Sequence, residues 1–188
     1  MLKAARGIIA LMGRAPVSDF TIYFGDPKSA FQNSLAAIGG SVLLIMIAAR
    51  TIIFLRAALA ETPPAFPALH IGLTAALYLL AFTALAWMIS LIFHRREEFW
   101  GWAAMRHWVV FYALIPVTLS LVLARMGIFP LALANAILFT AFIGWLFADI
   151  RLAQKLGGLG VIGGVFAGCM IHAMGLSILL TAIVQLIA

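Results

Sequence analysis

The stretch Gly157-Gly158-Leu159-Gly160-Val161-Ile162-Gly163-Gly164-Val165-Phe166-Ala167-Gly168-Cys169-Met170-Ile171-His172 admits two readings, and the choice between them decides the fold. Letter by letter, Gly158, Gly160 and Gly163 match the glycine fingerprint of a dinucleotide-binding turn. That fingerprint needs a preceding strand, a βαβ unit and an acidic residue about 20 positions further on. Here the residues that follow are apolar, so the match is accidental. On a helix, Gly160, Gly164 and Gly168 form one smooth stripe, continued by His172 with Gly175 close by. In lipid such a stripe lets another helix approach closely, because packing rather than hydrophobic exclusion drives helix association there. The last hydrophobic segment is accordingly expected to be the helix against which the others are arranged.

Composition supports the lipid reading. The chain has 188 residues, 65% of them hydrophobic and 10% charged, with a mean hydropathy of +1.16. A soluble domain carries about a quarter charged residues, so most of this chain is solvated by lipid. The net charge of +6 comes from 12 basic and 6 acidic side chains. The basic residues stand at span ends, which points to membrane topology and lipid and away from nucleic acid. A single cysteine, Cys169, excludes an intrachain disulfide and a thiolate metal cluster. No removable signal peptide is expected, since the N-terminus lacks a long apolar run with a cleavage site.

In chain order, two units are expected: an amphipathic interfacial segment, 1–25, and a five-span bundle, 26–188. Within 1–14, Leu2, Ala5, Ile8, Ile9 and Met12 share one helical face, with Lys3, Arg6 and Arg14 largely opposite. This is the pattern of a helix lying in the membrane interface; the alternative is a surface helix packed on the protein itself. Asp26-Pro27 reads as N-cap and first helical residue. Spans of sufficient length are expected at about 34–55, 68–93, 100–124, 129–148 and 159–187. In the first, Ala36 and Gly40 make a second small-residue pair able to meet the glycine stripe. Glu61–Pro67 is a Pro-rich turn, and a pairing of Glu61 with Arg50 is conceivable. Trp100, Trp102 and Trp108 suit an aromatic belt at the lipid interface, alongside Arg6 and Arg14. Pro116 removes a backbone hydrogen bond and should kink the third span, with Thr118 able to satisfy the freed carbonyl.

Basic residues are divided nine to three between the two sides. Lys3, Arg6, Arg14, Lys28, Arg95, Arg96, Arg106, Arg151 and Lys155 stand on one side, and Arg50, Arg56 and Arg125 on the other. The N-terminus is therefore expected in the cytoplasm of a bacterial inner membrane and the C-terminus opposite.

Chemistry is sparse. His172 is the sharpest candidate, since ionisable groups inside a span are functional hypotheses by default. With Asn135 it defines a candidate intramembrane polar site. Neutral imidazole can ligate heme iron, but His70, His94 and His107 lie at other depths, so heme through His172 is disfavoured and no cofactor is expected. A neutral His172 hydrogen-bonded to Asn135, Ser177 or a backbone carbonyl is the simpler account. Ser177, five residues on, lies too far around the helix to be activated by it. His94, Glu97 and Glu98 could touch a metal, yet a solvated loop accounts for them better, and no metal site is expected. All six acidic residues are read as lying in loops or at helix ends. That weighs against an acid–base enzyme and against a proton-coupled carrier.

The amphipathic N-terminus, followed by Asp26-Pro27-Lys28-Ser29-Ala30-Phe31 leading into five tightly spaced spans with the C-terminus outside, resembles the Yip1-type membrane-protein family. The likeness is one of length and topology over nearly the whole chain. It implies a non-enzymatic protein associated with other membrane proteins. The expectation is thus an all-α, polytopic, non-catalytic protein in contact with membrane lipids and with other subunits or copies of itself. A small transporter or permease subunit with a pathway near His172 and Asn135 is the runner-up; a heme- or quinone-binding redox subunit is third.

Overall fold

The computed structural model describes residues 2–57 and 65–187, leaving aside the side chains of 56–57, 179–180 and 182–187. Every regular element among the described residues is helical. Short α1 (Leu2–Met12) and α2 (Phe20–Phe24), linked by a 3₁₀ turn, precede five long helices: α3 (Pro27–Ala57), α4 (Ala68–Ile92), α5 (Glu98–Arg125), α6 (Leu131–Lys155) and α7 (Val161–Ile187). All five are long and apolar enough to cross a membrane. A backbone in hydrocarbon must satisfy its own hydrogen bonds, and a helix does so within one segment.

Local chemistry sets the boundaries. Asp26 caps α3: the Ser29 backbone N–H donates to its Oδ2 at 3.0 Å, and the Ser29 hydroxyl does so at 3.2 Å. The Ser29 backbone bond is the main reason the Asp26 carboxyl stays below the ordinary carboxylate range. α5 ends at Gly127, whose φ of 75° is left-handed and costs glycine nothing. The Ile128 N–H then reaches back to the Leu123 carbonyl at 2.9 Å, closing the helix end as a Schellman-type turn.

The helices close a ring in the order α3, α5, α6, α7, α4, with α4 returning to α3 and also touching α5. α5, not α7, is the helix the bundle is built around. It carries the longest unbroken buried run, Gly101 to His107, and its Trp102, Ala103, Ala104 and Met105 lie in the main core beside Phe82, Ala86, Leu152, Ala167 and Ile171. The expectation for α7 fails because glycine marks close approach and not centrality. α5 instead presents bulky and small side chains to neighbours on several sides.

Two further expectations change. α6 continues to Lys155 rather than ending near 148, so Asp149 is a helical residue and not a loop residue. α5 runs through Pro116 as one element, as the expected third span did, with the proline exposed at its outer face. Thr118 donates to the Leu44 carbonyl of α3 at 3.3 Å, tying two helices together, and so does not serve the carbonyl freed by Pro116.

α1 lies against the bundle. Gly7 and Leu11 are buried, while Leu2 and Ile9 point outward and Arg6 and Arg14 are exposed. Its apolar residues thus divide between two surfaces. One set packs on the protein beside α2, α5 and α6; the other is free to enter lipid. Lys155 and Arg151 of α6 hold its end. The Lys155 Nζ donates to the carbonyls of Leu11 at 2.7 Å and Gly13 at 3.1 Å, and Arg151 Nη2 to that of Gly13 at 3.3 Å. Cations at a helix C-terminus satisfy carbonyls that have no partner within the helix.

Candidate functional site: a buried polar centre

The chain's most unusual chemistry lies inside the bundle. Arg106 of α5 and Asp149 of α6 are 3% and 2% exposed. The guanidinium Nε donates to Asp149 Oδ1 at 2.9 Å and Nη2 to Oδ2 at 3.4 Å, a two-pronged pairing. Its plane also lies over Phe82 of α4, 4.4 Å from the ring centroid, with the Tyr78 ring at 5.8 Å. An arginine this deep is tolerable because the fork matches a carboxylate and stacks on aromatic faces. Its Nη1 makes no hydrogen bond to protein.

The next residue, His107, is 1% exposed and tied on both sides. Ser34 of α3 lies 2.8 Å from Nδ1, and Thr83 of α4 lies 3.0 Å from Nε2. The Ser34 hydroxyl also meets the Phe31 carbonyl at 2.7 Å, which takes its one proton. The network therefore assigns Nδ1–H as donor to Ser34, and Nε2 accepts from Thr83, whose alternative bond to Leu79 is longer at 3.4 Å. His107 is a neutral clamp joining three helices.

His172 lies beside this centre on α7, half-buried, with its ring tilted against that of Phe142 at a centroid distance of 4.4 Å. Its buried Nε2 has no partner. Ser177 donates instead to the Ala173 carbonyl at 3.0 Å. Asn135 is exposed and lies seven residues before Phe142 on α6, so it is removed from the His172 layer by about 10 Å along the helix axis. The expected pairing of His172 with Asn135 is not formed.

The glycines separate too. Gly160 precedes α7 and accepts the Gly164 N–H at 2.8 Å; a Cβ there would meet nothing. It belongs to the turn and not to a packing face. A Cβ on Gly164 would overlap the Gln154 side chain, one on Gly168 would stand 2.7 Å from Ile150 Cα, and one on Gly175 would stand 2.5 Å from Tyr78. These three lie against α6 and α4 of the same chain. Gly40 faces Phe111 of α5, where a Cβ would stand 2.6 Å from the ring, and Ala36 is exposed, so neither meets α7.

The aromatic belt is likewise divided. Trp102 is fully buried, one turn before Arg106 on the inward face, and is no lipid-interface residue. Trp100 packs with Phe31, Trp87 and Phe99, and Trp108 with Phe111 and Tyr112. At the α4–α5 turn, Arg95 pairs with Glu98 at 3.3 Å. No group of three His, Cys, Asp or Glu side chains able to hold a metal ion occurs among the described residues.

Sequence reasoning missed the Arg106–Asp149 pair, the His107 clamp and the inward Trp102. One signal was available: Trp102 and Arg106 are four apart, and Trp145 and Asp149 are four apart, so each pair shares a helical face. Extending α6 by two turns past residue 148 would have put the carboxylate inside a span. Comparisons with protein-family models, with curated proteins and with solved structures found no match to this chain.

Proposed function

We propose that this chain is a non-catalytic integral membrane protein of a bacterial inner membrane, acting as an accessory or scaffold subunit beside other membrane chains or copies of itself. One observation carries the reading: the interior polar groups serve to join helices. Arg106–Asp149 links α5 to α6, His107 links α5 to α3 and α4, and Thr118 links α5 to α3. A buried polar network of this kind specifies one packing arrangement. The likeness in length and topology to Yip1-type proteins points the same way. The N-terminus is cytoplasmic in this reading: with Arg106 inside the bundle, eight basic residues still stand against three.

The outward face of α6 offers the surface for a second chain. Ala132, Ala136 and Thr140 stand four apart and exposed, the small-residue spacing that lets helices approach in lipid. The test is native mass in lipid nanodiscs. A multiple of the chain mass that falls to one chain in Ala136→Leu/Thr140→Leu supports self-association. A single-chain mass for the parent protein overturns it.

A small carrier is the second reading, favoured by one feature: a carboxylate inside a span, next to Arg106 Nη1 and His172 Nε2, neither of which has a protein partner. Flux that disappears in Asp149→Asn while the fold persists would favour it over the scaffold.

A further inference from the structure

Beside the α1–α6 contact runs an open groove of about 380 Å³, lined among others by Met12 of α1 and Gly144, Phe147, Ala148, Arg151 and Gln154 of α6. Its volume falls in the range of small-ligand sites, roughly 300–1,000 Å³. We infer that this groove seats one anionic glycerophospholipid, with the phosphate at Arg151 and an acyl chain descending along Phe147 to Gly144.

Three properties point to that occupant. The first is direction: Gln154 to Gly144 spans ten residues, about 15 Å along the helix axis, beginning one residue from the last residue of α6 at Lys155. The groove therefore starts at headgroup depth and descends into the hydrocarbon. The second is charge. Arg151 is exposed and makes no ion pair among the described residues; one of its nitrogens holds the Gly13 carbonyl, which leaves the rest of the fork for phosphate oxygens. Arg14 is exposed next to Gly13, and Lys155 is anchored to the same carbonyl. Asp19 is the acidic side chain within Coulombic reach of Lys155, so the mouth has a basic excess. The third is shape. The floor is apolar, and at Gly144 a Cβ would meet nothing within 4 Å. The missing side chain leaves open space on the helix surface there.

α1 completes the seat. Met12 forms one wall, and the Leu11 and Gly13 carbonyls at the end of α1 fix Lys155 and Arg151 in place. A lipid here would bridge α1 to the bundle.

The test is lipid retention by the purified, delipidated full chain, read by native mass spectrometry with phosphatidylglycerol and phosphatidylcholine of identical acyl chains as probes. One phosphatidylglycerol per chain should be retained preferentially. Arg151→Gln should reduce that preference about fivefold, the effect of one basic side chain near an anionic surface. Gly144→Leu should fill that space and abolish retention of both lipids while leaving the melting temperature in detergent unchanged or higher, since a Cβ there meets no protein atom within 4 Å and leucine is a better helix former than glycine. Equal retention of the two lipids by the parent chain, or undiminished retention by Gly144→Leu, overturns the inference. So does competition by glycerol phosphate alone at the same concentration, which would assign the cations to a soluble anion.

Discussion

Arg106 and Asp149 show what a charge needs in order to exist inside a membrane bundle. Each is buried, and each is tolerated through the other. Breaking a buried pair from one side leaves an uncompensated charge, at a cost of about 3–5 kcal/mol. Asp149→Ala is therefore expected to lower the detergent melting temperature sharply. Replacing both residues, as Arg106→Met with Asp149→Leu, should recover most of the loss, because neither charge then remains unpaired. A double-mutant cycle by thermal denaturation measures this coupling directly. The two histidines should part company in the same assay. His107→Phe removes hydrogen bonds to Ser34 and Thr83 and should cost about 1–2 kcal/mol. His172→Phe removes a polar atom that has no partner and keeps the ring contact with Phe142, so it should leave stability unchanged or raised. At this scale the sequence was legible only in part. His172 stood out because it lies deep in an apolar run, whereas Asp149 and Arg106 looked like ordinary span-end charges. Their burial depends on two helices meeting, which no single segment records.

Elements carry the glycine argument. α6 and α7 are consecutive and antiparallel, and at Gly168 the two helices come close enough for a Cβ to meet the Ile150 backbone. A Cβ at Gly168 would stand 2.7 Å from both Ile150 N and Cα, and a backbone cannot move aside as a flexible side chain can. Gly168→Ala should destabilise by about 1–3 kcal/mol, the usual range for overpacking. Gly160→Ala should be harmless, since the space around it is open. Melting temperatures of the two variants, measured side by side, check both statements. The spacing of the stripe could be read without a structure, and so could its role in close packing in principle. What could not be read was its partner: a neighbour in the same chain satisfies a small-residue face as well as another subunit does. Gly160 was misplaced for a different reason. A helix boundary depends on capping geometry, here the Gly160 carbonyl accepting from Gly164, and a glycine repeat continues across it unchanged.

For the whole molecule, the five spans put the N-terminal helices, the α4–α5 turn and the end of α6 at one end of the bundle, with the α5–α6 turn at the other. A cysteine at Glu97 and one at Met126 should therefore label from opposite sides of sealed vesicles. With the basic residues concentrated at the first end, the Glu97 side should be cytoplasmic. Labelling of both positions from the same side would break the topology, and labelling with the sides exchanged would reverse the orientation.

Span number, all-α class and lipid solvation follow from composition and run length, because they express the cost of taking backbone and charge out of water. Each is paid segment by segment, so one-dimensional information is enough. The capping of α3 by Asp26 is local in the same way. Tertiary structure alone decided the rest: that α5 sits at the centre, that Trp102 turns inward, that Gly168 meets Ile150 and that Arg106 meets Asp149. Those outcomes depend on which faces of separate helices end up opposed. Helices in lipid are sorted by shape and by a few polar contacts, and the hydrophobic pattern that marks an inward face in water is absent when both faces are apolar.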